Sequence, residues 1–493
     1  MSLHPERAPA PPDTTHESTA PAGTHATTLR RGSLGVAAIV FFVLSAQSPL
    51  TGIAGALPIA IAEGNGPGAP AAFLVVGIVM ALFSVGYMTM SRHLTDGGAF
   101  YTYIGRGLGA VPGAGAAFTA LLAYCVVQAA MYGLYGFTVS FLLSTYVGLE
   151  VPWWVCSVVT MVLVMGWAWL NIEIGARVLA ALVALEMGLL LVFAVVTIVK
   201  GGGPEGFGVA ATFSPSALVA GAPGIAFTFA IASMFGFEST ALYATEAVNP
   251  RRTVPRATYV SVALVAGFFA FISWTVVSFY GAGQVTAAAG NALQSGDATS
   301  LVTGAVAANL GGWAGDAVSI ILATSLLAGI LAFHNAINRY LHSLAEHGVL
   351  PARVAWTNRH GSPYIAGTIS TVIAILLVVP FAIGGLDPVL NLFSWFGGAA
   401  VAALVVLYLL TTISVVLFFR GQRTEEPRWN TTVSPVLAGL LILAGLVVLV
   451  SNFQLLTGGS GATAVLLLMS VVVVFVVGAI VGRVRGDAVP GRD

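Results

Sequence analysis

Long uninterrupted apolar segments are the feature that most limits how this chain can fold. A helix needs about 20 mostly apolar residues to cross a bilayer, and such runs recur between clusters of turn-forming or charged residues. They lie at approximately 34–62, 70–92, 112–147, 152–170, 175–199, 220–246, 257–280, 313–344, 364–384, 389–418, 433–452 and 462–482. Continuous runs exclude a spanning β-barrel, whose strands are short and alternate apolar with polar residues. The sequence therefore predicts an all-α membrane protein with 12 transmembrane helices.

The composition excludes several classes of function. The chain is 57% hydrophobic and 8% charged, with a mean hydropathy of +0.93, whereas soluble domains are about 25% charged. Nineteen basic residues balance nineteen acidic ones, so no basic excess is available to bind a nucleic acid. Neither paired aspartates nor a His-Glu-x-x-His helix is present, and both cysteines lie in apolar runs. We therefore expect no enzyme, no metal and no cofactor.

The distribution of positive charge predicts how the chain is oriented in the plasma membrane. With the N-terminus inside, eighteen of the nineteen lysines and arginines fall on the cytoplasmic side, and only Lys200 lies outside, as the positive-inside rule requires. Residues 1–31 are rich in Pro, Thr, Ala and His and are predicted to form a disordered cytoplasmic tail. Residues 485–493 form a second cytoplasmic tail, so both termini of this multi-pass protein are predicted to be cytoplasmic.

Two spans are interrupted at mid-depth by polar and small residues. Span 1 contains Gln47-Ser-Pro-Leu-Thr-Gly52, and span 6 contains Ser233-Met-Phe-Gly-Phe-Glu-Ser239. The two interruptions fall five spans apart, which predicts a 5+5 inverted repeat with discontinuous helices 1 and 6. The repeats would occupy 32–200 and 201–418, and 419–484 would add two C-terminal helices. Simple kinks are the alternative, because glycine is common in membrane helices.

Three motifs carry a resemblance to a known family. They are FGFESTALYATEAVNPRRTVPRA at 235–257, NRYLHSLAEHGVLP at 338–351 and GGAFYTYIGRGLG at 97–109. They resemble the amino acid, polyamine and organocation permeases, whose fold is shared with the bacterial sodium-coupled leucine transporters. Many family members have a Gly-Ser-Gly break in helix 1, whereas this chain has Ser-Pro-Leu-Thr-Gly at 48–52, similar to putrescine-importer-like bacterial branches.

The resemblance implies a substrate site between the two breaks. The free amides of one half-helix would bind a substrate carboxylate, and the free carbonyls of another would bind its ammonium group. The expected substrate-binding residues are Gln47, Ser48, Pro49, Leu50, Thr51 and Gly52 in span 1, and Ala232, Ser233, Met234, Phe235 and Gly236 in span 6.

Two carboxylates are predicted to lie well inside spans and are candidates for coupling or gating. Glu186 is in span 5 and Glu238 is in the break of span 6, and a charged group inside a bilayer costs several kcal/mol by most estimates. Either could take up a proton. The structural alternatives are that Glu238 caps backbone N–H groups and that Glu186 forms a hydrogen bond with a serine or threonine.

Other polar residues are candidates for the pocket and the inner gate. Tyr124, Gln128 and Tyr132 recur at a spacing of four in span 3 and so share one helix face, where they would line the pocket or bridge helices. The segments 249–252 and 338–339 are expected to form an inner gate with Asp96 or Glu246. Alternatively, these arginines lie on the cytoplasmic side only because of the positive-inside rule and take no part in a gate.

These features predict a secondary transporter that moves an amino acid or a related amine by alternating access. Proton symport is the preferred coupling, while sodium symport and substrate exchange stay open. A polyamine importer is an alternative, and a channel is a more remote one. The expected partners are a small-molecule substrate, protons and the lipid bilayer.

Overall fold

A computed structural model describes residues 34–94, 100–170, 176–245, 247–346, 348–420 and 425–485. Within these ranges the chain forms helices and turns but no β-strand, apart from isolated bridges between Leu34 and Ala247 and between Gly203 and Gly206. Ten stretches of the described chain are long and apolar enough to cross a membrane. The prediction of an all-helical, multi-pass membrane protein is therefore confirmed.

Apart from the two interrupted spans, 1 and 6, whose first helices end at Gln47 and Ala232, the main helices follow the predicted spans to within a few residues at most ends. They are α1 Val36–Gln47, α2 Ala69–Ser91, α3 Ala110–Leu142, α4 Trp153–Trp169, α5 Ala176–Val199, α6 Pro223–Ala232, α7 Pro250–Tyr280, α8 Gly312–Glu346, α9 Tyr364–Ile383, α10 Ser394–Arg420, α11 Ser434–Leu456 and α12 Gly461–Arg485.

The count of twelve spans stays a prediction. One of the ten apolar stretches, Val36–Ser91, contains both α1 and α2. Helix α4 has only 17 residues, which is at the lower limit for crossing a bilayer. Length and composition alone therefore do not fix the number of crossings.

Helix α1 and the segment that continues it lie at the centre of the bundle. They contact α5, α7 and α8, and also the 3₁₀ helix Phe237–Thr245 that follows α6. Helices α11 and α12 lie at the periphery, where large apolar side chains such as Leu440, Leu466 and Val473 are exposed. This arrangement is expected when lipid replaces water around the outer helices, because exposing apolar side chains to lipid has no free-energy cost.

Small residues bring α3 and α12 into close contact. A Cβ atom added to Gly478 of α12 would lie 2.8 Å from the Ala114 carbonyl oxygen and 3.0 Å from the Gly115 Cα atom. The two backbones therefore approach as closely as glycine allows, a packing mode typical of membrane helices.

We predict that Gly478→Leu destabilises the protein by about 1–3 kcal/mol, because the larger side chain must push α12 away from α3. The matched control is Gly445→Leu in α11, where an added Cβ atom would meet no other atom within 4 Å. Thermal unfolding of the detergent-solubilised protein measures both. Equal midpoints for the two variants would contradict the packing described.

Candidate functional site

The first helix is broken at Ser48 by the proline that follows it. Proline lacks a backbone N–H, and its ring collides with the carbonyl four residues earlier, while the residue before it is driven out of the α-helical region. Helix α1 accordingly ends at Gln47, and Ser48 adopts a left-handed conformation with φ 45° and ψ 74°. Ser48 is the one non-glycine residue with positive φ in the described ranges.

This break is shorter than the segment from Gln47 to Gly52 that the sequence suggested. Helical geometry resumes at Pro49, and the turns from Thr51 to Ala56 have π-helical hydrogen bonding. A single proline suffices to stop one half-helix and start the next, because proline is well suited to the first turn of a helix.

Glu186 caps the second half of the first helix from a neighbouring helix. The N–H of Leu50 lies in the first turn after the break, where no carbonyl of its own helix can accept it. It donates instead to Glu186 Oε2 of α5 at 3.0 Å. The hydroxyl of Ser325 in α8 donates to the same oxygen, also at 3.0 Å. Glu186 is buried, so it joins three helices inside the bundle.

Ser48 makes the second connection between the break and α8. Its hydroxyl donates to the Ser325 carbonyl at 3.4 Å. Gly329 leaves the space that this contact needs, because a Cβ atom there would lie 3.0 Å from Ser48 Oγ and would collide with the end of the Met131 side chain.

The second break separates α6 from the 3₁₀ helix Phe237–Thr245. Helix α6 ends at Ala232, and a turn leads through Gly236, whose φ of 94° favours glycine. The Gly236 N–H donates to Glu238 Oε2 at 3.1 Å, and the Tyr87 hydroxyl donates to the Glu238 carbonyl at 3.2 Å. The capping role considered for Glu238 is thus present in the structure.

The two breaks lie next to each other. A Cβ atom added to Gly236 would be 3.1 Å from the Cβ of Ala46, which is two residues before Ser48. A backbone hydrogen bond of 3.0 Å from the Val248 N–H to the Leu34 carbonyl links the chain before α1 to the chain after the 3₁₀ helix. The structure therefore brings together the two segments that the sequence singled out.

Several buried polar atoms at the breaks have no protein partner. They are both amide atoms of Gln47 and the hydroxyl of Thr51. Beside the second break, the Tyr408 ring packs against Phe237, and its hydroxyl lies next to Glu238. Buried polar groups are nearly always hydrogen-bonded, so these atoms mark a place where water or a ligand completes the structure.

The three predicted residues of α3 differ in their relation to the breaks. The Tyr124 ring contacts Phe333, which in turn contacts Phe235 at the second break. Gln128 donates to the Ile330 carbonyl at 3.4 Å and so bridges α3 and α8. Tyr132 is buried, and its carbonyl accepts a hydrogen bond of 2.8 Å from the Ser157 hydroxyl of α4.

Some contributors to this region carry no sequence signal. Ser325, Tyr87 and Tyr408 lie in apolar runs and resemble ordinary packing residues of a membrane helix. Of the predicted inner gate, Arg251 and Arg252 are exposed, while Asp96 and Glu246 lie outside the described residues. The described ranges contain no group of three or more His, Cys, Asp or Glu residues that could hold a metal ion.

Comparison with known proteins agrees with this architecture. A family model described as "Amino acid permease" matches residues 34–479, which include every helix described above except the last residues of α12. Because the match covers far more than half of the chain, it identifies the family. Permeases are transporters and not enzymes.

Individual relatives match over shorter or more divergent regions. The general amino acid permease AGP3 of Saccharomyces cerevisiae is 34% identical over 177 residues, which are 35% of this chain and 30% of the relative. The amino-acid permease GAP5 of Candida albicans is 27% identical over 53% of this chain and 42% of the relative. The alignments thus span less than half the length of these two relatives.

A third relative matches over a longer region. An uncharacterized transporter of Mycobacterium bovis is 25% identical over 402 residues, which are 73% of this chain and 75% of the relative. Like the family match, this alignment covers most of the chain. With its adjacent helix breaks and a family match over residues 34–479, this chain belongs to the amino acid permease family.

Proposed function

We propose that this protein is a secondary transporter that moves an amino acid or a related amine across the plasma membrane. The observation that carries the proposal is the adjacency of two broken helices, each with a buried carboxylate hydrogen-bonded to its break. Broken helices expose backbone amides and carbonyls inside the membrane, and these groups match the charged ends of an amino acid. Family membership and the names of the two fungal relatives support the same class of substrate.

The proposed architecture has twelve spans, with both termini in the cytoplasm. Two inverted repeats, 32–200 and 201–418, would surround the site, followed by the helices of 419–484. Transport would follow alternating access, in which the helices that contain the breaks move relative to the others. Because the segment after the first break is joined to α5 and α8 through Glu186, that movement must rearrange the hydrogen bonds at this carboxylate.

Proton symport is the proposed coupling, with Glu186 and Glu238 as the proton-binding groups. Each is buried and engaged by backbone N–H groups at a break. Protonation of either would replace an acceptor-only carboxylate with a group that also donates. This change would weaken the hydrogen bonds that the carboxylate accepts at its break. A proton could in this way favour one conformation over another.

Purified protein in liposomes should accumulate a labelled amino acid in a saturable manner, and an inward proton gradient should increase uptake. One-to-one symport driven by one pH unit supports an accumulation of about tenfold. Glu186→Gln or Glu238→Gln should abolish the stimulation, while the exposed-loop control Glu150→Gln should retain it. Unchanged stimulation in both buried variants would contradict the coupling.

The uptake panel should include neutral, cationic and acidic amino acids and putrescine. Uptake of putrescine alone would favour a polyamine importer. Uptake that ignores the gradient but requires substrate inside the liposomes would identify an exchanger. The absence of saturable uptake of any compound would contradict the proposed transporter of amino acids and amines.

The structural role of Glu186 can be separated from its proposed role in coupling. Glu186→Ala leaves the Leu50 N–H and the Ser325 hydroxyl unpaired, at a cost of about 1–3 kcal/mol per group. Glu186→Gln keeps a carbonyl oxygen that can accept both bonds. We therefore expect a lower thermal midpoint for Glu186→Ala and a nearly unchanged one for Glu186→Gln. Equal midpoints for the two variants would argue against the cap.

A further inference from the structure

The amide of Gln47 is buried without any partner in the protein. The residue is 8% exposed, and both its Nε2 and its Oε1 atom lack a hydrogen bond. In the described part of the chain, no other side chain has two such atoms. Buried polar groups are nearly always hydrogen-bonded, so the partner of this amide is water or a ligand and not another residue of the chain.

The unpartnered amide lies directly at the first break. Gln47 is the last residue of α1, and Thr51, whose hydroxyl is also unpartnered, lies just beyond the break. The other polar groups here are already engaged: the Leu50 N–H and the Ser325 hydroxyl both donate to Glu186. Unused hydrogen-bonding capacity therefore remains on the side chains that flank Ser48.

The charged residues of the bundle interior limit which substrate side chains can bind beside Gln47 at the first break. Among the residues whose side chains the structure describes, Glu186 and Glu238 are the buried acidic residues, and no lysine or arginine is buried. A carboxylate on a substrate side chain would lose its hydration without gaining a cationic partner, which is strongly unfavourable. A cationic side chain would need one of two carboxylates that backbone N–H groups already occupy.

We infer that Gln47 recognises the substrate's side chain and that the preferred substrates are neutral amino acids bearing an amide or hydroxyl group. This inference rests on the proposed function. A primary amide carries two donors and an acceptor, so it is satisfied best by a side chain that both donates and accepts. An apolar side chain of the same size would leave the Gln47 amide unpaired, and sites built in this way discriminate strongly against such analogues.

Competition among substrates of matched size tests the inference. Initial uptake into proteoliposomes is measured for glutamine against methionine and for threonine against valine, with lysine and glutamate as charged comparisons. We expect the polar member of each pair to be preferred by about 10–100-fold in kcat/KM. Gln47→Leu should reduce this ratio to about threefold or less, mainly through loss of uptake of the polar substrate.

Two further variants keep the test decisive if Gln47→Leu fails to fold. Gln47→Asn retains the amide on a shorter side chain and should keep part of the preference, while Thr51→Val should lower the threonine-to-valine ratio. The matched control is Gln454→Leu, because the Gln454 amide donates to the Gly459 carbonyl in an exposed turn after α11. This control should leave all ratios unchanged.

The outcomes separate the inference from the proposed function. Equal uptake of polar and apolar partners by the unmodified protein would overturn the inference, as would an undiminished preference in Gln47→Leu or, if that variant does not fold, an undiminished preference in both Gln47→Asn and Thr51→Val. The amide would then be satisfied by water alone. A preference for lysine or glutamate would also overturn it. In each case saturable uptake would leave the proposed transporter standing, whereas no saturable uptake of any amino acid or amine would contradict both.

Discussion

The hydrogen bond from the Leu50 N–H to Glu186 is the interaction on which the centre of this structure depends. Pro49 interrupts the first helix and leaves the Leu50 N–H without an acceptor in its own helix. A carboxylate from α5 supplies the acceptor. Because the same oxygen also accepts from Ser325, one local defect in one helix fixes the relative position of three.

The second break is stabilised differently. Glu238 accepts the N–H of Gly236, only two residues away, and the connection to α2 runs through the Tyr87 hydroxyl and the Glu238 carbonyl. One break is therefore capped across helices and the other mainly within its own segment. A change of charge at Glu186 would act directly on the segment after the first break, on α5 and on α8, while the same change at Glu238 would act first on the turn that contains it.

The sequence was sufficient to predict the membrane helices and the two breaks. The helices follow from the absence of water in a bilayer, which forces each apolar run to satisfy its backbone internally. The first break follows from Pro49, whose ring excludes a continuous helix in any environment. Its extent was overestimated, because polar residues such as Thr51 and Gln47 are compatible with a helix whenever a partner or a ligand satisfies their side chains.

The sequence by itself determined the class of fold, the family motifs and the positions of the breaks, because these depend on residues close together in the chain. Only the tertiary structure decided which groups meet at the breaks. Glu186 and Leu50 are 136 residues apart, and the apolar run around Ser325 gives no sign that its hydroxyl faces a carboxylate. The unpaired amide of Gln47 was likewise invisible in the sequence, since the lack of a partner is a property of the packed bundle and not of the residue.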